Sequence, residues 1–252
     1  MYCADDNGRL SPPEWFPILM YHRVVAVAGA DRIDAQATPL QLISGHLDWL
    51  AAHRYTTTPL AEALDSKLRR TCLTFDDGFA DAHDVALPLL VEKKVPATVF
   101  VVTNLIGRKS EWMPAPQQLL SETQVRELHA EGVVIGSHSR THRGLTDLSD
   151  SELWDEVTGS RADLEDLLGA PVDCFCYPYN DVDERVIDAV RRAGYRLAVG
   201  GDRLPHQRHH LRRFDAAQLT LAQLALRVRG FHHWGRGHAV LEPIRRLVRR
   251  LA

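Results

Sequence analysis

Short apolar segments rich in Val, Ile, Phe and Tyr recur along the chain, separated by longer segments with helical spacing. The candidate strands are residues 16–22, 71–75, 96–102, 133–137, 172–177, 195–199 and 210–214. A repeated strand and helix order is typical of βαβ units around a parallel sheet, that is, of an α/β fold. About seven strands with short connections favour a closed (β/α) barrel, although an open sheet is also compatible with the pattern.

Local signals mark where several helices begin or end. Thr38-Pro39 precedes an apolar helical pattern, and Ser121 and Ser149 are each followed three residues later by Gln or Glu, as in a capping box. Gly194 predicts the end of a later helix.

Composition excludes several classes of protein. The 252 residues are 45% hydrophobic and 25% charged, which is ordinary for a globular chain and excludes a fibrous or disordered one. A formal net charge of −3 gives no reason to expect nucleic acid binding. We predict an N-terminal extension (1–15), one domain (16–220) and a basic helical tail (221–252).

The cysteines and the hydrophobic runs bear on the cellular compartment. Cys3, Cys72, Cys174 and Cys176 are too few and too unevenly placed for a disulfide framework, so we expect free thiols. No apolar run reaches the roughly 18 residues needed to cross a bilayer, and residues 1–15 do not resemble a signal peptide. The sequence therefore predicts a cytoplasmic chain, unless an export signal has been removed.

The last segment differs from the rest. Residues 227–252 carry seven Arg and a single acid, Glu242, with apolar residues at helical spacing. A terminal helix docked on the barrel is the first interpretation, and a basic amphipathic helix in peripheral contact with an anionic membrane is the second.

Two adjacent carboxylates follow an apolar strand in Thr74-Phe75-Asp76-Asp77-Gly78. The carboxyl ends of barrel strands are where such folds place their chemistry. Because side chains alternate along an extended segment, one Asp could bind a metal while the other acts as a base. A helix N-cap followed by a turn is the structural alternative.

A pair of histidines, His138 and His142, follows a later strand. With this spacing two imidazoles can converge on one metal if the segment turns helically. The chain has 13 His, so a chance pairing is the alternative. Together with Asp77 at the same predicted edge, the pair would complete a familiar catalytic metal set of two His and one carboxylate.

With these motifs in this order, the chain resembles the polysaccharide deacetylases, the carbohydrate esterase group that shares the NodB homology domain. TFDDG (74–78) resembles the first motif of the family, HSRTH (138–142) the second, and CYPY (176–179) stands at the place of the third. The resemblance covers residues 16–214 and implies a distorted, NodB-like (β/α) barrel. It also implies removal of the acetyl group from the nitrogen of an N-acetylated amino sugar in a glycan.

The resemblance implies a role for each matching residue. Asp77, His138 and His142 would bind one divalent metal, with zinc expected and nickel or cobalt as alternatives. Asp76 would be the general base, and the backbone N–H of Tyr179 would help to hold the oxyanion. A hydrolytic deacetylase also needs a general acid, because an amide nitrogen leaves only when it is protonated.

The third motif departs from the usual family pattern. Cys176 stands where many members carry an Arg that positions the base, so Asp76 is expected to lack that partner. Phe175-x-Tyr177-Pro178-Tyr179 nonetheless resembles a branch that deacetylates poly-N-acetylglucosamine exopolysaccharides without this Arg. Cys174 shares a strand face with Cys176, and we interpret the pair as buried, inert thiols.

The general acid also departs from the family pattern. The Leu-x-His motif that usually carries it is not found on the last strand, where LRR (211–213) stands. In the exopolysaccharide branch the first strand ends in Tyr-His, which MYH (20–22) resembles, so His22 is the predicted acid. His206, in a polar loop, is the second candidate. A His22 bonded only to backbone is the structural alternative.

Three residues are predicted to contact the substrate. Trp112, in the loop 103–120, is either a platform on which a sugar stacks or a packing residue of that loop. Tyr177 and Pro178 of the third motif are predicted to line the substrate site. Two functions other than a glycan N-deacetylase stay open, namely a non-catalytic glycan-binding relative and a deacylase of a lipid-linked or small intracellular amino sugar.

Overall fold

The computed structural model describes residues 16–26, 36–64, 70–201 and 204–230. The strands are β1 (Ile18–Tyr21), β2 (Arg23–Val25), β3 (Ala37–Pro39), β4 (Thr56–Thr57), β5 (Arg70–Phe75), β6 (Thr98–Val101), β7 (Val134–Ser137), β8 (Cys174–Cys176), β9 (Leu197–Gly200), β10 (Leu211–Arg212) and β11 (Phe214–Asp215). The α-helices are α1 (Leu40–Ala52), α2 (Leu60–Ala63), α3 (Leu87–Lys93), α4 (Glu122–Ala130), α5 (Asp150–Leu168), α6 (Glu184–Arg192) and α7 (Leu221–Val228).

Parallel strands form one large sheet in the order β10, β9, β8, β7, β6, β5, β1, β11. The segment 211–215 lies at both ends of this order, because β10 pairs with β9 while β11 pairs with β1. This segment therefore acts as a seventh strand that closes the sheet, and all seven predicted strands are present. The structure confirms the predicted distorted (β/α) barrel.

Side-chain alternation divides the buried residues into an interior and an outer layer. One cluster collects every second residue of the barrel strands, namely Ile18, Cys72, Phe100, Cys174, Cys176, Leu197, Val199 and Leu211. The intervening residues, such as Leu73 and Val99, pack in a second cluster with residues of the surrounding helices. The barrel thus has a filled interior, and its chemistry is confined to its ends.

The three cysteines in the described part of the chain are free and buried, as predicted, while Cys3 lies outside it. Burial raises the pKa of the Cys72 thiol and of the Cys174 thiol to about 12. Both thiols are therefore protonated and unreactive at neutral pH.

The predicted helix starts at Ser121 and Ser149 are confirmed, and each forms a complete capping box. Gly194, with φ 87°, follows the end of α6 as expected. A π-helical turn, Ala82–Ala86, directly precedes α3.

At the start of the predicted tail, α7 buries Leu224 and Val228 in the outer cluster. Residues 231–252, which carry most of the basic segment, lie outside the described residues, so its membrane contact stays a prediction. Among the helices of the described segments, none combines the length and apolarity that a bilayer crossing requires.

The barrel interior leaves no space for a side chain at position 136. A Cβ there would lie 2.6 Å from the ring of Phe100 and 3.1 Å from the carbonyl oxygen of Cys174. We expect Gly136→Ala to lower the free energy of unfolding by about 1–3 kcal/mol, measured by urea denaturation. Gly45→Ala is the matched control, because the nearest atom to its Cβ is 3.9 Å away. Equal stability of the two variants would contradict the expectation.

Candidate active site

Three predicted metal ligands meet at the carboxyl ends of β5 and β7. Asp77 Oδ1 lies 3.2 Å from Nε2 of His138 and 3.2 Å from Nε2 of His142. The three side chains are almost completely buried, and one ligand atom from each lies within 4.8 Å of the others. Two imidazole nitrogens and one carboxylate oxygen at this spacing suit a divalent metal such as zinc.

The neighbouring strands β6 and β8 orient the imidazole of His138. The backbone N–H of His138 donates to Val101 O at 2.9 Å, which extends the pairing of β7 with β6. Its Nδ1 lies 2.9 Å from the carbonyl oxygen of Cys176, which can only accept a hydrogen bond. Nδ1 of His138 must therefore carry the proton, which leaves Nε2 available as a metal ligand.

Strained backbone conformations concentrate at this end of the barrel. In the described residues, seven positions other than Gly have positive φ. Four of them lie in the three motifs, namely Asp77, Ser139, His142 and Tyr179, and a fifth, Asn180, directly follows the third motif. Such conformations cost of order 1–3 kcal/mol each and persist where the surrounding structure holds them. Their concentration beside the ligand set supports a functional role for this end.

Asp76 has an orienting partner, contrary to the expectation from the sequence. Arg213, between β10 and β11, donates from Nη1 to Asp76 Oδ1 at 2.6 Å and from Nη2 to Asp76 Oδ2 at 2.7 Å. Its side chain is 1% exposed and that of Asp76 is 4% exposed. The expectation was wrong because it rested on the third motif alone, where Cys176 replaces the Arg. The segment 211–215, which closes the barrel, brings Arg213 to Asp76 instead.

Arg213 also argues against a second ligand set. Asp76, His138 and Cys176 are close enough to hold an ion. However, the Arg213 guanidinium donates to Asp76 and lies 3.0 Å from Cys176 Sγ, which places a permanent positive charge in that position. Of the two groups, the one that contains Asp77 is therefore the better candidate for a metal site.

Burial and nearby positive charge have opposite effects on the pKa values of Asp76 and Asp77. Burial raises the pKa of Asp76, but the charge and hydrogen bonds of Arg213 outweigh it and hold that pKa below its usual range. Burial also raises the pKa of Asp77, and the hydrogen bonds from His138 and His142 outweigh it. The charge of His22, which follows β1, lowers the pKa of both carboxyls further. Both carboxylates are therefore ionised at neutral pH.

The two histidines respond differently to the same carboxylate. For His138 the lowering effect of burial is exceeded by the acidic groups Cys176, Asp77 and Asp76, so its pKa lies well above the usual value. For His142 burial dominates, and its pKa is lowered. A cation bound to Nε2 of His138 would displace a proton, so metal binding and proton binding compete at this site.

Aromatic rings flank His142, one of the candidate metal ligands, on two sides. Trp112 stacks on its imidazole with ring centroids 3.8 Å apart, and Tyr179 meets it edge-on at 4.6 Å. Trp112 also packs in a small cluster with Phe79 and Leu119. The structure thus gives Trp112 a packing role, and its contact with a sugar stays a prediction. Tyr179, beside the site, is 56% exposed.

The other third-motif residues are buried. Tyr177 is 1% exposed, and its hydroxyl donates to His209 O at 2.6 Å. Pro178 is also buried and begins the short 3₁₀ turn Pro178–Asn180. Contact of these two residues with substrate stays a prediction. His206, the alternative acid, accepts a hydrogen bond at Nδ1 from the N–H of Arg212 at 3.0 Å.

The chain belongs to the polysaccharide deacetylase family, because the family model matches residues 65–198, more than half of its length. It is 28% identical over 194 residues to YxkH of Bacillus subtilis, covering 74% of this chain but only 64% of that protein. It is 25% identical over 201 residues to a poly-beta-1,6-N-acetyl-D-glucosamine N-deacetylase of Staphylococcus epidermidis, covering 70% of this chain and 68% of that protein.

The fold agrees with this assignment. The deacetylase PplD of Streptococcus pyogenes superposes with a TM-score of 0.73 at 22% identity, over 84% of this chain and 97% of that one. The predicted likeness to the NodB family and to its poly-N-acetylglucosamine branch is thereby confirmed.

Arg213 is the site residue that the sequence did not reveal. A signal was present, because Leu211 and Arg213 are two apart on the last strand and share a face, and Leu211 is an interior residue. An Arg facing the interior of a barrel requires a buried acid, and Asp76 was the candidate at that end.

Proposed function

We propose that this protein is a metal-dependent N-deacetylase of an N-acetylated glucosamine polymer or oligosaccharide, releasing acetate and a free amine. The observation that carries the proposal is a buried carboxylate, Asp76, held by Arg213 beside a separate Asp, His, His ligand set. Glycan binding alone does not require such a base. The printed names of relatives, which include chitin deacetylases and the poly-beta-1,6-N-acetyl-D-glucosamine N-deacetylase, support the substrate class.

Asp77, His138 and His142 would hold the metal, for which zinc is our proposal. Bound there, a divalent ion supplies Lewis-acid chemistry, polarising a carbonyl and making water more acidic. Asp76 accepts a proton from the attacking water, and Arg213 keeps the carboxylate ionised and correctly oriented. The two adjacent Asp residues thus divide two tasks, metal binding and proton transfer.

The remaining steps need a hydrogen-bond donor and an acid. The backbone N–H of Tyr179 donates to the oxyanion that forms when the acyl carbon becomes tetrahedral. His22, which follows β1, protonates the departing sugar amine. The exposed ring of Tyr179 offers an apolar surface on which a sugar ring can stack.

Acetate release from defined oligosaccharides tests the proposal. The purified chain, loaded separately with Zn²⁺, Co²⁺ and Ni²⁺, would be incubated with β-1,4- and β-1,6-linked N-acetylglucosamine oligomers. We expect release from at least one series, loss of release after chelation, and recovery when the metal is restored. Asp77→Asn should bind metal weakly and release no acetate, because it removes the charged ligand.

The binding-module alternative predicts a different result. A chain that binds metal and oligosaccharide but releases no acetate from either series would contradict the deacetylase proposal. Release from a lipid-linked N-acetyl sugar alone would support the second alternative. The comparison of β-1,4 with β-1,6 oligomers would also identify the linkage that this site accepts.

A further inference from the structure

The loop that carries the metal ligand His142 is held in an unfavourable backbone conformation. Ser139 has φ 63° and His142 has φ 60°, each costing of order 1–3 kcal/mol. Within the segment, the Ser137 hydroxyl accepts from the N–H of Ser139 at 3.2 Å, and the Ser139 hydroxyl accepts from the N–H of His142 at 3.1 Å. The N–H groups of Arg140 and Thr141 need acceptors from elsewhere.

Glu156 of α5 supplies them. Its Oε2 accepts from the N–H of Arg140 at 2.9 Å and from the N–H of Thr141 at 3.0 Å, and its Oε1 accepts from the Thr141 hydroxyl. Glu156 is 4% exposed. A buried carboxylate is costly without hydrogen-bond donors, so these contacts with the loop are what make its burial tolerable.

Other residues on the same face of α5 also contact the segment that carries His142. A Cβ at Gly159 would lie 2.6 Å from Cδ of Arg140, which explains a glycine inside a helix, where it costs about 1 kcal/mol. Ser137 donates to the hydroxyl of Ser160 at 2.8 Å, and Asp163 Oδ2 accepts from Nε of Arg140 at 3.1 Å. Four positions of one helix, 156, 159, 160 and 163, therefore hold one loop.

We infer that Glu156 is a positioning residue that sets the affinity of the chain for its divalent ion by fixing the loop that carries His142. Its carboxylate binds Arg140 and Thr141, which lie between His138 and His142 in the sequence. The inference rests on the proposed function only in requiring that Asp77, His138 and His142 bind an ion. Groups that orient a metal ligand typically change affinity by 10–100-fold when they are removed.

Metal affinity measured without any substrate tests this inference. Co²⁺ would be titrated into the metal-free chain by its visible spectrum, in competition with a chelator, at a temperature where every variant is folded. We expect Glu156→Ala to bind Co²⁺ about 10–100-fold more weakly. Glu156→Gln should restore most of the affinity, since its amide oxygen can accept both N–H groups, and Thr141→Val should lose a smaller part.

Glu165→Ala is the matched control on the same helix. Glu165 accepts hydrogen bonds from Nε of Arg161 and the N–H of Val172, far along α5 from the loop. The Glu165→Ala variant should have a lower unfolding temperature than the unaltered chain and the same Co²⁺ affinity. Equal affinities of Glu156→Ala and the unaltered chain would overturn the inference alone. Failure of the unaltered chain to bind Co²⁺ would overturn the proposed function and the inference with it.

Discussion

Replacement of Asp76 by Asn is expected to lower the rate of acetate release by about 10²–10⁴-fold while the chain still binds its metal. Asn keeps the size of Asp but cannot accept a proton from water at neutral pH. Asp76 lies outside the Asp77 ligand set, so the metal affinity should change little. Acetate release at saturating metal and a metal titration on the same protein separate the two effects.

Asp81→Asn is the matched control for this variant. Asp81 pairs with Arg23 at 3.4 Å, close to the site in sequence but outside the ligand set, and its replacement changes the net charge equally. Its activity should stay close to that of the unaltered chain. If Asp76→Asn kept most of its activity, Asp76 would not be the base.

Replacement of Arg213 by Met is expected to lower the free energy of unfolding by about 3–5 kcal/mol at neutral pH. Met fills much of the same volume, but Asp76 would be left as a buried carboxylate without its cation. In the unaltered chain the lowered pKa of Asp76 means that this stabilisation is present at neutral pH and is lost as the pH falls through that pKa. The difference in urea denaturation between the two proteins should therefore shrink at acid pH.

The same variant should also change the pH dependence of activity. Without Arg213, burial is the dominant influence and raises the pKa of Asp76. The base is then protonated at a higher pH, so the acid limb of the activity profile should move to higher pH. Arg212→Met is the control on the same strand, since Arg212 donates to Leu204 O instead. An unshifted limb in Arg213→Met would show that Arg213 acts on stability alone.

The position of this Arg has a consequence for the general acid. In the usual family pattern the third motif carries the Arg and the last strand carries the acidic His. In this chain Cys176 stands at the third-motif position of that Arg, and Arg213 stands at the last-strand position of that His. Arg213 stands at the end of the last strand and pairs with Asp76. We therefore propose that the general acid comes from elsewhere in the chain, with His22, which follows β1, as the first candidate.

The sequence alone predicted what depends on neighbours along the chain. Strand positions followed from apolar runs, the capping boxes at Ser121 and Ser149 from residues three apart, and the ligand residues from motifs at strand ends. Each of these is a local pattern, and parallel strands necessarily bring their carboxyl ends to one edge. The sequence therefore predicts that Asp77, His138 and His142 lie together.

Only the tertiary structure decided which side chains support those ligands. Arg213 and Asp76 are 137 residues apart, and they meet because the segment 211–215 closes the barrel between β9 and β1. Glu156 contacts the loop that carries His142 because α5 packs against that loop. Trp112 stacks on His142 because the loop 103–120 folds over the site. A contact of this kind depends on how the sheet closes and on which face a helix presents, and neither is encoded in the residues next to it.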